Sequence, residues 1–99
     1  INCISLRGRI KLLGVKIIKK SAFYGCSALT DVEFGHVLET IEDRAFFGCS
    51  LLRNITMPFV RTIETGAFVY CDELSDVVCG EGLETLRHYA FNNCLKLNR

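Results

Sequence analysis

Five of the six cysteines, at positions 3, 26, 49, 71 and 94, are separated by steps of 23, 23, 22 and 23 residues. Disulfide frameworks of small secreted domains use irregular, paired spacings, whereas a fixed step means internal repetition. Other residues fall into the same register. Ala-Phe stands four residues ahead of each later cysteine, at Ala22-Phe23, Ala45-Phe46, Ala67-Phe68 and Ala90-Phe91. Leu follows each cysteine by three, at Leu6, Leu29, Leu52, Leu74 and Leu97. Val32, Ile55 and Val77 come three further on, then Phe34, Met57 and Cys79. A second apolar pair closes each unit, read as Val37 and Ile41, Val60 and Ile63, Leu83 and Leu86. The opening unit is looser, with Ile10 and Leu12 one place late and Ile18 back in step.

A unit of this length cannot bury its own apolar residues, so neighbouring units must stack. Val32-Glu33-Phe34 and Ile55-Thr56-Met57 alternate apolar and polar with the period of a strand. Ala22, Phe23 and Cys26 are spaced to share one face of a single helical turn, which predicts a short helical piece in each unit. Gly25 and Gly48, with Tyr70 and Asn93 in the later units, end that turn where a positive φ is needed. Gly35, Pro58 and Gly80 break the first strand. Equivalent strands stacked at ~4.8 Å form a parallel ladder down one side of a coil.

The segments Ile41-Glu42-Asp43-Arg44-Ala45-Phe46-Phe47-Gly48-Cys49 and Ile63-Glu64-Thr65-Gly66-Ala67-Phe68-Val69-Tyr70-Cys71 resemble the BspA-type leucine-rich repeat of bacterial surface antigens. The resemblance runs over residues 3–97. It implies a leucine-rich-repeat solenoid of about four coils, with a parallel β ladder on the concave side and short helical turns or loops opposite. The whole chain, 1–99, reads as a single array. Its coils span about 3–25, 26–48, 49–70 and 71–93, with the start of another at 94–99. Neither end carries a capping pattern, Ile1 is not a start residue, and the one methionine is Met57. The sequence therefore reads as a trimmed window on a longer array, or as a unit whose neighbours cover both ends.

Cys26, Cys49, Cys71 and Cys94 are expected to point inward as reduced core thiols, because in-register side chains run parallel and do not turn towards one another. Cys79 takes the slot of Phe34 and Met57 and reads as core too. The 23-residue steps supply no tight C-x₂₋₄-C pair for zinc. His36 and His88 sit at unrelated places in their units, and no nucleophile elbow or phosphate-binding glycine loop is present. No metal, cofactor or enzymatic activity is expected.

The net charge is only +1, which gives no reason to expect nucleic acid as a partner. Hydrophobic residues make up 49% of the chain, which excludes a disordered tail. No apolar run is long enough for a membrane span, and no signal peptide is recognisable. The charges are unevenly placed. Arg7, Arg9, Lys11, Lys16, Lys19 and Lys20 give residues 1–20 a charge of +6 with no acid, leaving −5 for residues 21–99. An acidic partner at this basic N-terminal coil is the corresponding expectation.

The partner-binding candidates are the residues flanking the inward position of each first strand: Arg9 and Lys11, Asp31 and Glu33, Asn54 and Thr56, Asp76 and Val78. They differ between coils although the framework repeats. Asn54-Ile55-Thr56 is also an N-glycosylation sequon, read here as accidental because a glycan would obstruct that row. The function expected is a non-enzymatic protein-interaction module with a rigid concave surface. The resemblance implies recognition or adhesion at a cell surface. The alternative is a structural or assembly subunit within a larger, intracellular complex.

Overall fold

The structure is a computed structural model that describes residues 6–87, 89–91 and 94. Cys3, His88, Asn93 and Leu97 lie outside the described residues, as do the rest of 1–5 and 95–99. Among the described residues, eight strands follow one another in pairs: β1 (Gly8–Leu12), β2 (Ile17–Ile18), β3 (Leu29–Phe34), β4 (Thr40–Ile41), β5 (Asn54–Met57), β6 (Thr62–Ile63), β7 (Asp76–Cys79) and β8 (Thr85–Leu86). They form two parallel sheets, ordered β1-β3-β5-β7 and β2-β4-β6-β8. Each coil thus contributes one strand to each sheet, and the chain is a parallel β-solenoid of about four turns.

The register follows the repeat. Ile10, Val32, Ile55 and Val77 pair in succession along the longer sheet, and Ile18, Ile41, Ile63 and Leu86 along the shorter one. The late placement of Ile10 is absorbed by a register shift between Gly8 and Arg9. The apolar partner of Ile41 is corrected from Val37 to Leu38, which is fully buried while Val37 is exposed. The third coil is one residue shorter between its two strands, so counting a constant step from Val60 lands one place early.

The expected helical piece is absent among the described residues, and a third ladder of backbone bonds takes its place. Within the turn, Ala45, Phe47 and Cys49 donate their N–H groups to Glu42, Arg44 and Phe46, three residues back. The alternate donors Arg44, Phe46 and Gly48 reach the next coil, bonding the carbonyls of Thr65, Ala67 and Val69. Coil one does the same towards coil two, with Ser21, Phe23 and Gly25 donating to Asp43, Ala45 and Phe47. An α-helical turn would direct its bonds within one coil; this arrangement spends half of them on stacking. It requires two left-handed residues per turn. Gly25, Gly48 and Tyr70 hold the foreseen place, with φ of 72°, 75° and 62°. Ser21, Arg44, Gly66 and Tyr89 hold a second one, with φ between 54° and 68°.

Phe23, Phe46, Phe68 and Phe91 stack face to face along the interior at 5.0, 5.3 and 5.1 Å between centroids. Beside them runs the cysteine column. Each thiol donates to the carbonyl of the phenylalanine one coil back: Cys49 to Phe23 (3.2 Å), Cys71 to Phe46 (3.2 Å) and Cys94 to Phe68 (3.0 Å). A small apolar side chain with a weak donor suits this corner, since it fills the space and caps a buried carbonyl. Burial pushes the Cys49 thiol up to about 12. The Cys71 thiol is raised as well, by its contact with the Cys94 thiol and by burial. Cys49, Cys71, Cys79 and Cys94 are free, as expected, whereas Cys26 is disulfide-bonded. That corrects the reduced reading at Cys26. Cys79 is only partly buried, at the margin of the core.

Candidate interaction face

Strand alternation sends Val32 and Phe34 inward and their neighbours to the outer face of the longer sheet. The register then assembles the eight candidates into two rows. One runs Arg9, Asp31, Asn54, Asp76 and the other Lys11, Glu33, Thr56, Val78, one side chain per coil in each. Arg9, Asp31, Glu33, Asn54 and Thr56, with Val32 at its floor, line a depression of about 210 Å³ in this face.

Asp31 differs from the rest. It is only 9% exposed. One carboxylate oxygen accepts from the Asn54 amide of the next coil, and the other from the Thr30 hydroxyl at 2.8 Å. The Arg53 guanidinium lies 3.7 Å away. Hydrogen bonds from Asn54 and then Thr30, with the positive charges of Arg53 and Arg9 behind them, hold the Asp31 carboxyl below the usual carboxylate range against the opposing effect of burial. Asp31 is therefore part of the scaffold of the face, joining coils two and three. Thr30 and Arg53 belong to this network although the strand-flanking rule did not select them. The available signal was the register, which sets the Asp31 acceptor beside the Asn54 donor.

The same bond occupies the nitrogen that a glycan on the Asn54 sequon would need. Glu33, Lys11, Arg9 and Val78 stand exposed around this fixed centre. His36 lies elsewhere, in the loop after β3, edge-on to Phe59 at 6.4 Å. Among the described residues no three His, Cys, Asp or Glu side chains converge as a metal site would require, and no helix is long and apolar enough to cross a membrane. A separate apolar groove of about 390 Å³ lies against the first coil, lined by Leu12, Val15, Ile17, Ile18, Lys19, Ala22 and Phe23. The sequence reading did not single it out.

Comparison with known proteins agrees with this architecture. The solved crystal structure of a T. pallidum leucine-rich repeat protein superposes with a TM-score of 0.75 at 24% identity. The match covers 90% of this chain and 56% of that protein, so this chain spans little more than half the length of its structural neighbour. No curated protein sequence matches the chain. Residues 2–99 match the family described as the BspA type leucine rich repeat region (6 copies), whose repeats generally serve as non-enzymatic protein-binding scaffolds. The chain belongs to the BspA-type leucine-rich-repeat family.

Proposed function

We propose that this chain recognises a protein partner through the outer face of its longer sheet, with Arg9, Lys11, Glu33, Thr56, Asp76 and Val78 as contacts and Asp31 and Asn54 as their support. One observation carries the reading: side chains that differ from coil to coil are held in two unbroken rows by strands paired in register. A preformed surface avoids the ordering cost that a flexible one pays on binding. Membership of the BspA-type family favours the recognition or adhesion role at a cell surface. The test is a photo-crosslinking amino acid placed at Glu33 or Thr56, with exposed Ser27 as the control position, in cells of the source. Adducts from the sheet face and none from Ser27 support the proposal. Adducts from Ser27 alone, or equally from all three, refute it.

The alternative role as an assembly subunit draws on the apolar groove of the first coil, which has Lys19 in its lining, and on the six bases of residues 1–20 in the same coil, a combination suited to an acidic partner with an apolar contact. A companion that survives raised salt during gentle purification, and is lost in an Ile17→Glu variant, favours that role over the sheet face.

A further inference from the structure

Charge along the sheet face follows an order fixed by the fold. Coil one presents two cations, Arg9 and Lys11, neither of which makes a salt bridge among the described residues. Coil two presents the exposed anion Glu33, since the Asp31 carboxylate is buried under hydrogen bonds from Asn54 and Thr30 and is balanced by the Arg53 guanidinium at 3.7 Å. Coil three puts uncharged residues, Asn54 and Thr56, in both rows, and coil four offers Asp76 beside exposed Val78. A complementary partner carries an acid, then a base, then a neutral polar group, then a second base. The last base would lay its aliphatic stem on Val78 and its charge on Asp76.

Spacing decides which backbone can supply that order. Coils repeat at ~4.8 Å, so the four levels stand at about 0, 4.8, 9.6 and 14.4 Å. An extended segment presents same-side residues every ~6.7 Å and falls out of step by the second coil. A helix rises ~1.5 Å per residue, which places i, i+3, i+7 and i+10 at about 0, 4.5, 10.5 and 15 Å. These positions share one helix face. Every level agrees to within about 1 Å, well inside the reach of Glu and Lys side chains.

We infer that the face is a docking site for a partner helix laid along the ladder, bearing an acid at i, a base at i+3, a neutral polar residue at i+7 and a base at i+10. This rests on the sheet face being the recognition surface. The experiment uses the full chain, ¹⁵N-labelled, at low salt. Two alanine-framework helical peptides of the same composition serve as probes, one with Glu, Lys, Gln and Lys at the four positions and one with Lys, Glu, Gln and Lys. The second sets like charges against coil one in either direction of binding.

The expected result is binding of the first peptide roughly tenfold tighter than its isomer, with amide shifts concentrated in β1, β3, β5 and β7. The double variant Lys11→Glu/Glu33→Lys, both positions being exposed, should keep the parent's melting temperature and reverse the preference. Equal affinities, shifts confined to the turns, or an unchanged preference in the double variant would each overturn the inference. If neither peptide shifts any amide while Glu33 still yields crosslinks, the helix is wrong and the recognition face stands. If the crosslinks are absent as well, the face itself is wrong.

Discussion

Replacing Phe46 by alanine tests the stacking of the solenoid at its centre. The ring is fully buried. It lies 5.0 Å from Phe23 and 5.3 Å from Phe68, nearly parallel to both, and meets Phe34 edge-on at 6.2 Å. Phenylalanine-to-alanine changes in cores cost about 3–5 kcal/mol. Two stacked neighbours and an edge contact put this site at the upper end, because each aromatic pair adds ~0.5–1.5 kcal/mol beyond its buried area. A chain of this size has about 5–15 kcal/mol of stability in total. For such a domain ~1 kcal/mol moves the melting temperature by about 4–8 °C, so Phe46→Ala should lower it by about 20–40 °C or prevent folding. Phe91→Ala supplies the calibration. That ring is partly buried and stacks on Phe68, and about half the loss is expected there. Thermal unfolding followed by circular dichroism measures both. A Phe46→Ala protein that melts within a degree or two of the parent would show that the phenylalanine column is not the spine.

Asp31→Asn should cost about 1–3 kcal/mol at neutral pH by weakening the bonds from Asn54 and Thr30. Because the folded carboxyl titrates below its ordinary value, its stabilising contribution is complete above ~pH 4 and is lost as pH falls through the folded pKa. The parent and variant melting temperatures should therefore converge in acid, and a constant gap down to pH 2 would refute the network. Cys49, Cys71 and Cys94 should resist a thiol reagent until the chain is denatured, with Cys26 modified only after reduction; mass spectrometry of the labelled peptides reads both. Arg44 has φ of 54° in the slot that Gly66 fills at 68°. Relief of that strain, less the entropy of glycine, predicts that Arg44→Gly raises stability by about 0.5–1 kcal/mol, and a lowered melting temperature would contradict it. A Cβ on Gly80 would collide with the carbonyl of Pro58, whereas one on Gly14 meets nothing. Gly80→Ala should cost about 1–3 kcal/mol while Gly14→Ala is near neutral, both read by urea titration.

Much of this fold was legible because stacking in register makes neighbouring coils impose the same demand at the same position. Phe46 must match Phe23 and Phe68, and Cys49 must reach the carbonyl of Phe23, so the buried columns repeat as letters in the sequence. What was missed depends on backbone geometry that residue types report poorly. Nothing in the names Ser21, Arg44 and Tyr89 announces a left-handed residue. The alternate bonding of Arg44, Phe46 and Gly48 to the next coil is invisible to a helical-spacing argument, since Phe46 and Cys49 are three apart in a helix and in these turns alike. Val37 and Leu38 are equally apolar, and only the shorter loop of coil three decides which one is buried. In the candidate face the two rows were legible from strand alternation. The burial of Asp31 was not, because it depends on side chains from two coils closing over one carboxylate.

Asp31 also marks the limit of the separation between framework and face. In a parallel stack an inward residue touches its counterparts on both sides, so a change at Phe46 is felt at Phe23 and Phe68, and the interior is held to one pattern. Outward residues meet their neighbours only at the rim, so Glu33, Thr56 and Val78 can differ in charge and size with little effect on stacking. That separation allows a surface to be varied on a constant fold. Asp31 breaks it, as an outward residue whose bond to Asn54 ties coil two to coil three. Changing it would alter the face and loosen the stack together. The depression beside it is accordingly the part of the surface where the rigidity of the scaffold passes directly to the contact residues, with Arg9 and Glu33 on its rim.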